Sequence, residues 1–245
     1  MNLKTTIATG RRVLWQIRHD RRTIGLLLAV PTGLLILLYF ILEGQPRTFQ
    51  QLGAPLCGLF PFIVMFLVTS IAMLRERTSG TLERLMTMPI AKADVLFGYA
   101  LAFGLLAALQ TAIVCTVGFL ALSLEAPHGA WLVALLAIAN ALLGMALGLF
   151  ASAFAKTEFQ AVQFMPAFVL PQLLLCGLFV DRHEMAGWLH AISWAMPLTY
   201  AYEALAKATE PGPLGSAMTW DVIAVIAFTI AALALGALTL RRRTP

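Results

Sequence analysis

Arg75, Glu76, Arg77, Glu83, Arg84, Lys92 and Asp94 crowd into residues 75–94 (RERTSGTLERLMTMPIAKAD), directly after twenty residues that carry no charge at all. Acids and bases at this density could hold a phosphate, ligate a metal, dock on another protein or face water. The phosphate reading lacks its loop, because no Gly-Lys pair occurs and G-x-x-x-x-G-K-[ST] is therefore missing. Neither H-E-x-x-H nor G-x-S-x-G occurs, so zinc-dependent and serine-type hydrolysis lack their signatures as well. A second group, Asp181, His183, Glu184 and His190, has ligand-type side chains, but its spacing fits no standard zinc site and a solvated loop is the expected reading. Cys57, Cys115 and Cys176 all fall in apolar runs without a C-x-x-C pair, which supports neither a disulfide framework nor a metal site. Docking and solvation remain. Thr81 can cap a short helix with Glu83 in its first turn, where the helix dipole favours an acid. Leu82, Leu85 and Met86 then share an apolar face, and Pro89 ends the helix. Such a helix rests on lipid headgroups or fills a groove on another protein.

The elements that must position this segment are greasy. Of 245 residues, 60% are hydrophobic and 12% charged, against about 25% charged in soluble domains. The sequence predicts an all-α integral membrane protein with a single transmembrane domain over 1–245. Six stretches approach the roughly 20 apolar residues that a helical crossing needs: about 24–42, 52–74, 95–124, 131–155, 159–180 and 221–240. Pro31, Pro55, Pro61, Pro166 and Pro171 lie within them and predict kinks or short breaks. Fourteen of the 17 Lys and Arg residues fall on one side of this arrangement, leaving Arg47, Arg182 and Lys207 on the other. The positive-inside rule then puts both termini and residues 75–94 in the cytoplasm. The net charge of +5 reports this asymmetry and not a nucleic-acid partner. Residues 1–23 are polar and basic and do not read as a signal peptide.

Outside the lipid, Leu3, Ile7, Val13, Leu14 and Ile17 fall on one arc of an N-terminal helix, with Arg11, Arg12, Arg18 and Arg22 mostly opposite. This predicts a basic amphipathic helix in the membrane interface, Trp15 at headgroup level, or else a plain topology anchor. In the external loop 181–220, Met185, Trp188, Leu189, Ile192 and Met196 predict an amphipathic helix that Pro197 closes, followed by a second over 198–206. No loop is long enough for a soluble domain of its own. The polar residues inside the spans are uncharged: Thr69, Ser70, Gln110, Asn140, Gln163 and Gln172. They read as helix–helix hydrogen bonds more than as substrate contacts, and no ionisable relay is visible. Gly144 and Gly148, with Ala137, Ala141 and Ser152 on the same face, predict close packing within the bundle.

The stretch RERTSGTLERLMTMPIAKADVLFGYALA resembles the loop after the second span in permeases of the ABC-2 type transporter family, through Glu76, Gly80, Thr81, Leu82, Glu83 and Pro89. WLHAISWAMPLTYAYEALA resembles the family's Pro-Leu-Thr-Tyr region at Pro197, Leu198, Thr199 and Tyr200. The likeness covers nearly the whole chain, with Phe97-Gly98 standing where many members have Gly-Lys. The resemblance implies a permease that pairs with a second copy or a homologue. A separate ATP-binding subunit would drive it, so the chain is not itself an enzyme and binds no cofactor; ATP sits on the partner. It implies coupling to that subunit through Glu76, Gly80, Thr81, Leu82, Glu83, Leu85, Met86 and Pro89. LPQLLLCGLFV (170–180) is similar to the daunorubicin-exporter-like drug-resistance permeases, which implies export of small hydrophobic drugs or antibiotics from a prokaryotic plasma membrane. A polysaccharide or lipid exporter is the alternative cargo reading. A membrane scaffold subunit or a lipid-modifying membrane enzyme are the alternatives from other classes.

Overall fold

A computed structural model describes residues 3–81 and 91–239. The described residues are helical, with no strand among them. Helix α1 (Leu3–His19) lies beside the bundle and is followed at once by α2 (Arg21–Ile41). Asp20 separates them because its carboxylate caps α2, accepting from the Thr23 amide (3.1 Å) and hydroxyl (2.6 Å). These bonds hold the Asp20 carboxyl below its ordinary value.

Helix α3 (Pro46–Thr78) has 33 residues. At 1.5 Å per residue it is about 50 Å long, against about 30 Å of hydrocarbon, so it projects beyond the lipid. It starts with Pro46 at a position where a missing amide costs nothing and runs unbroken through Pro55 and Pro61. Helix α4 (Lys92–Thr116) ends in a π turn, Val117–Ala121. Helix α5 (Ala130–Ala151) packs along α3 as the most extensive contact of the fold. Its small face makes this possible. A Cβ on Gly144 would come within 3.0 Å of the Phe62 carbonyl carbon, and one on Gly148 equally close to that of Phe66. Thr69 then donates across the seam to the Met145 carbonyl at 3.2 Å. The expected close packing of Gly144 and Gly148 is therefore between α3 and α5.

Five helices among the described residues are long and apolar enough to cross a membrane: Arg21–Ile41, Pro46–Thr78, Ala93–Ala121, Ala130–Ala151 and Ser216–Thr239. The stretch 159–180, expected as a sixth span with kinks or short breaks at its prolines, is helical over 158–175 but irregular. It consists of α6 (Glu158–Phe164), a π turn at Met165–Val169 and α7 (Leu170–Leu175). Pro166 and Pro171 each remove a backbone donor and crowd the preceding turn, which accounts for the break. Gly177, at φ +102°, then turns the chain away.

The stretch 181–220, expected as an external loop, carries α8 (Gly187–Ser193) and α9 (Pro197–Thr209), and α10 (Ser216–Thr239) follows them. Helix α8 is shorter than the expected 185–196, because Met185 and Met196 are extended where they lead into α8 and α9. The N-terminal helix forms as expected, and its packed face is only partly the expected apolar arc. Val13 is buried and Leu14 and Ile17 are half-buried, but Leu3 and Ile7 are exposed. The packed face of α1 is instead small: Thr6, Thr9 and Gly10 lie against α4, where a Cβ on Gly98 would fall 2.5 Å from the Thr9 Cβ. Close backbone approach makes this contact, and Leu3 and Ile7 are left free for the membrane interface.

Candidate functional site

Three consecutive residues at the end of α3 reach three different parts of the bundle. Arg75 forms a two-pronged ion pair with Glu158 at the start of α6, Nε to Oε1 at 2.7 Å and Nη2 to Oε2 at 3.0 Å. Glu76 lies 3.7 Å from the Arg12 guanidinium of α1. The same guanidinium donates to the Tyr99 hydroxyl of α4 and stands over its ring at 5.8 Å. Arg77 donates to the Thr239 hydroxyl at the end of α10 at 3.4 Å. The last turn of α3 is thus tied to α1, α4, α6 and α10 together.

Of the predicted coupling residues, Glu76, Gly80 and Thr81 lie within the described structure. Leu82, Glu83, Leu85, Met86 and Pro89 lie outside the described residues. Gly80 takes φ +72°, which ends α3 in the left-handed conformation that glycine adopts without a steric penalty. The Thr81 hydroxyl lies 2.9 Å from that of Ser79.

The second predicted motif is a clamp at the start of α9. Pro197 opens α9 and Leu198 is fully buried. The Thr199 hydroxyl donates to the Ser193 carbonyl at 2.9 Å, and the Tyr200 hydroxyl donates to the Trp194 carbonyl at 2.8 Å. The Tyr200 ring lies 5.9 Å from Phe228 of α10. The motif therefore joins α8, α9 and α10.

Beside it runs a chain of charges whose pairing the sequence did not announce. Arg182 is 6% exposed. Its guanidinium donates to the Ser193 hydroxyl at 3.0 Å and to Glu203, and it lies 4.5 Å above the Trp194 ring. Glu203 also accepts from Lys207 at 3.2 Å, and Lys207 donates to Asp221 of α10 at 2.5 Å. Burial alone would lower the Lys207 ammonium, but its hydrogen bonds to Asp221 and Glu203 hold it above its ordinary value. The only signal available in the sequence was the i, i+4 spacing of Glu203 and Lys207. No group of three or more His, Cys, Asp or Glu among the described residues could hold a metal ion.

Within the bundle, the uncharged polar residues divide. Thr69 bridges α3 and α5, and Gln172 accepts from the Leu198 amide at 3.4 Å, joining α7 to α9. Gln163 is exposed. Ser70, Gln110 and Asn140 are fully buried, yet their side-chain polar atoms make no hydrogen bond to the described residues. The expected helix–helix hydrogen bonds therefore form at two of the six positions.

The sequence model of the family described as "ABC-2 type transporter" matches residues 5–209, from α1 to the end of α9. This chain belongs to the ABC-2 type transporter family. It is a multi-pass integral membrane protein, as that membership and its long apolar helices together require. Among curated relatives, it is 28% identical over 145 residues to the probable multidrug ABC transporter permease YbhR of Escherichia coli K12. The match covers 59% of this chain and 39% of the relative, and the protein of E. coli O157:H7 gives the same figures. ABC transporter G family member 20 of Dictyostelium discoideum is 25% identical over 164 residues, 66% of this chain and 22% of its own length. The ABC-2 chain described here thus spans well under half of the relatives that it matches.

Proposed function

We propose that the chain is the membrane-spanning permease subunit of an ATP-driven exporter, and that residues 75–94 receive the push of a separate ATP-binding subunit. The observation that carries this reading is the junction at the end of α3. Arg75, Glu76 and Arg77 connect the entry of that segment to α6, α1 with α4, and α10. A force applied there reaches most of the bundle without passing through a flexible loop. Leu82, Leu85 and Met86 supply the apolar contact to the partner, and Glu83 orients it. Burying one such leucine contributes about 1.5–3 kcal/mol, against about 0–1 kcal/mol for an exposed ion pair, so the apolar face dominates docking.

Two permease copies, or one and a homologue, enclose the pathway, and both termini face the cytoplasm of a prokaryotic cell. In this topology, residues 158–175 make the remaining crossing as a bent helix. The cargo reading is a small hydrophobic drug or antibiotic, supported by the printed name of the E. coli relative. A polysaccharide or lipid cargo is the second reading, which rests on the family alone.

Coexpression with a candidate ATP-binding subunit tests the proposal. The wild-type chain retains that subunit through purification and exports in inside-out vesicles with ATP. Leu82→Ser with Leu85→Ser releases the subunit while the permease stays inserted. Retention and normal export by that variant would overturn the coupling assignment.

A further inference from the structure

We infer that the outer face of α1 binds the headgroups of anionic phospholipids at the bilayer surface. Helix α1 packs inward through Thr6, Thr9 and Gly10, where a Cβ on Gly10 would stand 3.1 Å from the Gly98 carbonyl oxygen. On the outer side, Ile7, Arg11 and Trp15 recur at i, i+4 and i+8, share one stripe of the helix and are exposed. A trough of about 650 Å³ runs along this stripe. Its charged lining is Lys4, Arg11 and Arg12, with no acid, and Ile7 and Trp15 supply its apolar walls. Arg18 stands 5.7 Å over the Trp15 ring and adds a further cation at that end.

The depth of α1 makes the occupant a lipid. Only Asp20 separates α1 from α2, whose uncharged run begins at Thr23. Gly98, against which α1 rests, lies four residues past Asp94, the last charge before the uncharged run of α4. Helix α1 therefore lies where hydrocarbon meets headgroups, and its exposed Leu3, Ile7 and Trp15 enter the acyl boundary there. Charge then selects the headgroup. Leu3–His19 contains no acid. Of the neighbouring acids, Glu76 faces Arg12, and Asp20 is hydrogen-bonded to Thr23. Arg12 is engaged by Glu76 and Tyr99, whereas Arg11 makes no ion pair among the described residues. A zwitterionic headgroup brings its own cation to this basic surface, and an anionic one does not. Each Lys or Arg near a membrane surface strengthens binding to anionic lipid about fivefold.

The test is native mass spectrometry of the purified full-length chain, titrated with phosphatidylglycerol or phosphatidylcholine of identical acyl chains. Phosphatidylglycerol should be retained at lower concentration. Lys4→Gln with Arg11→Gln should weaken its retention roughly 25-fold, about fivefold per cation, and leave phosphatidylcholine unchanged. Lys4→Arg with Arg11→Lys keeps the charge and should keep the retention, which separates charge from any change in fold. Ile7→Ser with Trp15→Ser should weaken both lipids. Arg47→Gln removes an exposed charge at the start of α3 and should leave retention as it is. Equal retention of the two lipids by the wild type would overturn the inference, and would follow if an acidic protein surface owns this face. An equal loss in Arg47→Gln would overturn it too, because attraction to the whole basic chain would then suffice. So would full retention in the Lys4 and Arg11 glutamine pair, or loss in the charge-keeping pair.

Discussion

Replacing Gly148 by alanine tests the seam on which the bundle depends. The added Cβ would stand 3.0 Å from the Phe66 carbonyl carbon and closer still to its oxygen and to the Thr69 hydroxyl. Backbone cannot rotate away as a side chain can, so the overpacking cost belongs at the upper end of its usual range, about 3 kcal/mol. Displacing Thr69 also removes its hydrogen bond to Met145, worth about 1 kcal/mol. Alanine returns about 1 kcal/mol through higher helix propensity. The net is a destabilisation of about 3 kcal/mol. Gly33→Ala is the control: no atom lies within 4 Å of its added Cβ, so only the propensity gain remains. Thermal unfolding of the detergent-solubilised chain should rank Gly33→Ala at or above wild type, and Gly148→Ala clearly below it. If Gly148→Ala melts at or above wild type, α3 and α5 are not held at the separation described.

Glu203→Gln should cost about 2–3 kcal/mol by leaving the buried Arg182 guanidinium half-paired, less than the about 3–5 kcal/mol of a fully buried break because Glu203 is partly exposed; unchanged unfolding would show that the charges are solvated. Glu158→Gln should change stability by less than about 1 kcal/mol, since its pair with Arg75 is exposed, while lowering export per ATP hydrolysed if the junction transmits force. The Asp20 carboxyl, held below 3.8 by Thr23, contributes stability that is present above the unfolded value and lost as pH falls through the folded one. Melting followed from about pH 6 to about pH 2 should show this loss in the wild type and not in Asp20→Asn, which keeps the cap without the charge. Cysteines placed at Gly212 and Thr78, with Cys57, Cys115 and Cys176 replaced, should label from outside intact cells at Gly212 only; labelling at Thr78 alone would invert the topology.

The parts of the fold that were legible are those in which a residue's own type decides its place. Long apolar runs gave the five unbroken helices, and Gly144 with Gly148 announced a close seam because nothing else lets backbones approach so near. The break at Met165–Val169 was half legible: Pro166 and Pro171 marked a disturbance, but not whether the helix would kink, as α3 does not at Pro55, or open a π turn. The packed face of α1 was hidden, since the value of Thr6, Thr9 and Gly10 depends on Gly98 of α4 being equally small. Arg182 was hidden for a similar reason. A lone external arginine reads as solvated until Glu203, Ser193 and Trp194 are brought around it, and those contacts exist only in the folded cap.

The order in which the cap's charges are synthesised has a consequence for biogenesis. Arg182 is made first, Glu203 and Lys207 follow, and Asp221 comes last, from α10. A nascent chain that has released residues up to Thr209 holds the first three charges with one cation in excess, and α9 still lacks one of the helices on which it packs. Only insertion of α10 delivers the carboxylate that neutralises Lys207 and the ring of Phe228 that meets Tyr200. The cap is therefore completed from its far end, and a chain cut short before that point leaves two cations, Arg182 and Lys207, to share the one carboxylate of Glu203.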